Sequence, residues 1–202
     1  MLTEKEKQIL RKNLIRYEGN VPHMYLDSVG LVTIGVGNMI RNLTAALKLN
    51  LVVRKTGAIA TKEQITADYE NVKKHWLSGA TAPYYKKYTQ LIMTGVEVNR
   101  LTNKHIKNFY SELKRLFPDF DDYPTEARLA LLDMIFNLGM EKLKNLFPKL
   151  NKAVKVKDWA EAAAQSNRPQ LEDLRNRYVR ELFEAAAKGV GKIPTENQNT
   201  GL

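Results

Sequence analysis

Glu18-Gly19, Tyr25-Leu26-Asp27 and Thr33-Ile34-Gly35-Val36-Gly37 lie within one short stretch near the N-terminus. Ahead of them, Leu10, Leu14, Ile15 and Tyr17 recur at roughly helical spacing and form the inner face of a first helix. Thr3 with Glu6 reads as a capping box, so that helix starts at Glu4 and runs to about Tyr17. Gly19 tolerates the positive φ of a helix C-cap, which puts Glu18 where the helix stops. A carboxylate there faces the negative end of the helix dipole, a poor place for a stabilising charge, so its position points to function. Asp27 and Ser28 precede Gly30, and Leu31, Thr33 and Val36 follow. That pattern predicts a small β-hairpin from about Tyr25 to Val36 with its turn near Asp27 to Gly30 and Thr33 on the returning strand. Gly35 and Gly37 weaken a strand interior, so the backbone there bends or lets a neighbour approach closely.

Two carboxylates and a hydroxyl thus share one short segment. Cleavage of a glycosidic bond by acid/base chemistry needs one group to protonate the leaving oxygen and one to activate water. Glu18 alone is an ordinary helix-end residue and Asp27 alone an ordinary turn residue; their conjunction carries the reading. Eight residues separate Glu18 from Asp27 and five separate Asp27 from Thr33, which opens the TIGVG string. In this spacing the segment resembles the catalytic segment of the phage-type lysozymes, the muramidases of glycoside hydrolase family 24.

Thr61 with Gln64 forms a second capping box, opening a helix through Ile65, Tyr69, Val72 and Trp76 that also resembles the family. The apolar residues between Met39 and Gly57 suggest a short helix. The resemblance lapses over about 78–117, read as a helical insertion: Pro83-Tyr84-Tyr85, then a helix from about Asn103 to Leu116 capped by Thr102, an added pair packed on the outside. Residues 118–124 read as a loop. Thr125 to Leu138 is apolar nearly all round, hence buried, and Phe136-Asn137-Leu138-Gly139 resembles the signature that ends this helix in the family, with Gly139 as C-cap. Leu143, Leu146, Phe147 and Leu150 follow, then Asp158-Trp159-Ala160, with Trp159 taken as core. The last helix runs from Leu171 to Ala187 with Leu174, Tyr178, Leu182 and Phe183 inward.

The resemblance implies an α+β, mostly helical, lysozyme-like fold, with a small hairpin lobe and a larger helical lobe around a cleft. Residues 1–187 would form the catalytic domain and 188–202 a polar, disordered tail. It implies cleavage of the β-1,4 bond between N-acetylmuramic acid and N-acetylglucosamine in peptidoglycan. Carried over position by position, Glu18 is the general acid, Asp27 the ionised partner that steadies positive charge on the sugar and orients water, and Thr33 the holder of the attacking water, an inverting arrangement. Arg177 would orient Glu18. Met39, Phe136, Asn137 and Gln165 would contact substrate. Asn38 stands where many relatives have His, and Lys149 where some have Ser.

A chain of 202 residues fits one large domain or two small lobes sharing a helix. It has no Cys, so neither disulfides nor thiolate chemistry, and His23, His75 and His105 show no ligand spacing; no metal and no cofactor are expected. The net charge of +10 draws the chain to polyanions such as an acidic bacterial wall. Basic residues are spread out without interleaved aromatics, so nucleic acid is not an expected partner. No apolar run suggests a membrane span and the N-terminus lacks a signal-peptide core, so the expected setting is a monomer made in the cytoplasm and carried to the wall by other machinery. It is either a phage endolysin or an injected antibacterial effector, the latter with a cognate immunity protein. The competing reading is a non-catalytic peptidoglycan-binding module of the same fold, against which intact Glu18, Asp27 and Thr33 argue.

Overall fold

The computed structural model describes residues 2–189; residues 190–202, nearly all of the expected tail, lie outside them. The chain is mostly helical with small antiparallel sheets, an α+β arrangement as expected. It divides into two compact units: Arg11–Asn103, and the residues up to Leu10 together with those from Lys104 on. Among the described residues no helix is long and apolar enough to cross a membrane.

Helix α1 (Glu4–Glu18) starts at the expected cap. Glu6 accepts from the Thr3 amide at 2.7 Å, while Thr3 Oγ1 accepts from the Glu6 amide at 3.2 Å. Leu10 and Leu14 are buried, but Ile15 is exposed, because only one stripe of so short a helix faces a core. Strands β1 (Val21–Leu26), β2 (Val32–Gly35) and β3 (Asn38–Met39) form an antiparallel sheet. The β1–β2 turn closes as expected: Gly30, at φ +80°, donates its amide to Asp27 O at 3.0 Å, and Asp27 donates to Leu31 O at 3.0 Å.

The apolar run after Met39 does not form one helix. Only α2 (Leu43–Ala46), capped by Asn42, is helical. Leu51–Val53 is strand β4, paired with β5 (Leu91–Met93). The adjacent β-branched Val52 and Val53 prefer the extended chain once a partner is present. Helix α3 (Lys62–Lys74) has both arms of the Thr61–Gln64 capping box. It ends before Trp76, which is exposed rather than on the helix's inner face.

The 78–117 segment is not an external helical pair. It supplies α4 (Ala82–Tyr85), a 3-10 turn (Lys86–Tyr88), β5 and helix α5 (Gly95–Leu116). Tyr85, Leu91 and Met93 are buried, and α4 and β5 pack against β1. Buried His23 on β1 donates Nε2–H to Ala82 O at 2.9 Å, and desolvation holds its pKa below the ordinary imidazole value. Buried Asp68 on α3 accepts from the amides of Gln90 and Leu91 at 2.8–3.0 Å; desolvation raises its pKa despite those bonds. Helix α5 starts well before Asn103. Thr102 lies inside it, its hydroxyl donating to Val98 O at 2.9 Å. The starting signal is Thr94-x-x-Glu97: Thr94 Oγ1 accepts from the Glu97 amide at 3.3 Å.

The helical unit centres on α6 (Thr125–Leu146), whose residues from Ala127 to Ile135 are buried except Arg128. Gly139 (φ +73°) breaks its path, as a C-cap glycine does, and helical structure resumes beyond it. Helices α7 (Pro148–Lys155), α8 (Trp159–Ala164) and α9 (Asp173–Ala187) complete the unit, with α9 packed on α6 and α8. Trp159 is core, stacked on Phe183. Tyr178, Leu182 and Phe183 point inward as expected, while Leu174 and Leu146 are exposed.

Asp133 on α6 is wholly buried and accepts from Arg168 Nη1 at 2.9 Å and Arg175 Nε at 3.1 Å. Replacing Asp133 with Ala leaves two buried guanidinium groups short of their anion and should lower stability by about 3–5 kcal/mol. Thr61→Ala, which removes only a cap, should cost about 1 kcal/mol. Urea unfolding of the two variants checks the order; equal midpoints would show that the ion cluster is not what ties α6 to α9.

Candidate active site

The hairpin unit brings together four of the residues singled out in the sequence. Glu18 is the last residue of α1, and Gly19 (φ +73°) turns the chain away behind it. A side chain at Gly37 (φ +62°) would meet the Glu18 carboxylate, with Oε2 3.7 Å from the Cβ position, so the second glycine of the TIGVG string lies where the helix-end carboxylate meets the hairpin. Asp27 sits just past β1. Its Oδ1 accepts from the amides of Val29 at 3.0 Å and Leu31 at 2.9 Å, so the turn's own backbone fixes the carboxylate.

Thr33 stands opposite Tyr25 on β1 and Met39 on β3, and directly opposed residues share one face of a sheet. Thr33 is buried and its hydroxyl donates to Leu31 O at 3.2 Å, which leaves the oxygen its acceptor lone pairs. Met39 is exposed at the edge of the same face.

Tyr25 is the residue that sequence reasoning passed over, although it stands in the decisive stretch. Burial raises its phenol pKa first, and the charges of Asp27 and Glu18 raise it further. One hydroxyl therefore feels both carboxylates. The available signal was the strand's period of two, which sets Tyr25 and Asp27 on one side.

The helical unit holds the other candidates. Phe136 is half-buried and packs edge-on against Phe109 and His105, with ring centroids 5.5 and 6.3 Å away. Asn137 Oδ1 is buried with no hydrogen-bond partner. Gln165 closes α8 and lines a groove of about 670 Å³ that also holds Lys142 and Lys149, the position where some relatives carry Ser. Arg177 is exposed on α9, whereas Arg175, two residues earlier, is buried on Asp133.

The phage lysozyme family model matches residues 15–181, a span that includes every residue named above as a site candidate and the 78–117 segment. The chain belongs to the phage lysozyme family. The fold is accordingly lysozyme-like, the enzyme class a lysozyme-type glycosidase, and the substrate class peptidoglycan. Comparison with curated proteins gives no match.

Removing either negative charge should make the Tyr25 phenolate easier to form. Glu18→Gln and Asp27→Asn are each expected to lower the Tyr25 pKa, read by NMR titration of ring-labelled tyrosine. An unmoved Tyr25 in both variants would separate it from the two carboxylates.

Proposed function

We propose that the chain is a muramidase that cleaves the β-1,4 bond between N-acetylmuramic acid and N-acetylglucosamine with inversion. The observation that carries this reading is the meeting of the Glu18 carboxylate with the hairpin at Gly37, on the same hairpin that fixes Asp27 at its turn and carries Thr33 on β2. Glu18 protonates the glycosidic oxygen as the bond breaks. Asp27, fixed by two amides, balances the positive charge that builds on the sugar, orients the attacking water and takes the proton that the water gives up. Thr33 accepts a hydrogen bond from the attacking water, leaving the water's lone pair for the anomeric carbon; its own proton is already given to Leu31 O.

Met39, Phe136, Asn137 and Gln165 serve as glycan contacts in this proposal. Arg177 orients Glu18. The enzyme works as a monomer in bacterial cell lysis, in a phage endolysin or in an injected antibacterial effector held in check by an immunity protein, and reaches the wall through other machinery.

Digestion of purified sacculi followed by mass spectrometry of the new ends tests the proposal. The wild type is expected to release reducing-end N-acetylmuramic acid, and Glu18→Gln to lose about a hundredfold or more of that rate. Anhydro ends would identify a lytic transglycosylase instead. No release by the wild type would favour a non-catalytic wall-binding module.

A further inference from the structure

Beside the Asp27 turn, the segment that follows α3 forms a second feature, which shares Tyr25 and Asp27 with the candidate site and otherwise draws on residues that the bond-breaking chemistry does not use. Residues 76–82 and the end of β1 enclose a groove of about 400 Å³, within the range of small-ligand sites. Tyr25, Asp27, Ser28, Trp76, Ser78 and Thr81 are among its lining residues. Trp76 is 57 % exposed and Leu77 is 51 % exposed, an unusual pair to leave in water next to a reaction centre.

The indole is not a loose surface side chain. Its Nε1 lies 3.2 Å from where a Cβ would stand on Gly30, so one edge rests against the turn that carries Asp27. The chain on either side is braced. His75 stacks on Tyr88 with ring centroids 3.7 Å apart and donates Nδ1–H to Asn71 O at 2.7 Å. After Trp76, Tyr85 OH accepts from the Leu77 amide at 3.4 Å, and Ala80 donates to Leu77 O at 3.1 Å to close a turn. The result is a positioned aromatic face with hydroxyls around it.

Charge decides what fits there. The chain carries 32 Lys and Arg, yet among the described residues Asp27 is the one charged side chain lining this groove. The lactyl carboxylate of an N-acetylmuramic acid would find no cation in it, whereas the N-acetylglucosamine that alternates with it along the strand is neutral. A neutral pyranose offers a C–H face for the indole and hydroxyl or acetamido groups for Ser28, Ser78 and Thr81.

We propose that Trp76 and the 76–82 segment form an additional saccharide subsite, in which the glycan strand continues past Asp27 and one sugar ring stacks on the indole. The proposal rests on the muramidase reading for the identity of the strand. It gives part of the 78–117 segment a role in holding long substrates.

The test compares uncrosslinked peptidoglycan glycan strands, tetrasaccharide against dodecasaccharide. With Trp76→Ala, the preference in kcat/KM for the long strand should fall by about tenfold, carried by KM, and Trp76→Phe should restore much of it. Equal preference in the wild type and Trp76→Ala would overturn the subsite. So would an equal loss of kcat on both lengths, which would make Trp76 a prop for the Asp27 turn. If the wild type cleaves neither strand, the muramidase reading fails separately, and the groove is read by binding. The chain has two tryptophans, and Trp159 is buried. A blue shift of the exposed tryptophan when dodecasaccharide is added to Glu18→Gln, lost in the double variant with Trp76→Phe, supports the subsite; no shift overturns it.

Discussion

Asp133 sits at the centre of the helical unit between two guanidinium groups, and no solvent reaches it. Apolar packing between α6 and α9 is non-directional and would tolerate several registers. A buried carboxylate does not, because an unpaired charge in that interior costs several kcal/mol. Arg168, from the loop before α9, and Arg175, on α9 itself, must both reach the same carboxylate. Arg168 is held in turn by Asn176, whose Oδ1 accepts from the Arg168 amide at 3.0 Å and whose Nδ2 donates to Arg168 O at 2.9 Å. One anion thereby sets the seat of α9, and with it the exposed position of Arg177, since a helix turns about 100° per residue.

The hairpin unit works under a different constraint, set by backbone conformation. Gly19, Gly30 and Gly37 all have positive φ. The first ends α1 behind Glu18, the second closes the turn that ties Asp27, and the third lies beside the Glu18 carboxylate. A side chain with a β-carbon is strained at each of these angles. The catalytic candidates thus owe their placement to three points where the chain could turn without a Cβ, and the strands between them supply the face on which Tyr25, Thr33 and Met39 stand.

The segment from Ser78 onward shows why an unfamiliar stretch is a poor guide to its own depth. Its apolar residues close the hairpin unit's core through β5 and Tyr85, and two buried titratable groups, His23 and Asp68, hold it there through backbone bonds. The same bracing leaves Trp76 and Leu77 outside. A residue that helical periodicity assigns to an inner face becomes exposed simply because α3 ends at Lys74.

Local chemistry written in the sequence was sufficient for the caps at Thr3 and Thr61, the Asp27–Gly30 turn, the buried run of α6 and the break at Gly139, because each depends on neighbours within a few residues. It also carried the Glu18, Asp27 and Thr33 spacing, and with it the family. What only the tertiary structure decided is long-range. Leu51–Val53 becomes a strand because Leu91–Met93 pairs with it from far along the chain. Arg175, and not Arg177, turns inward because Asp133 is there to receive it. The Glu18 carboxylate comes to the hairpin because the helix end and the hairpin meet at Gly37. In each case the preference of the residue alone is weak, and a partner distant in sequence supplies the energy that settles it.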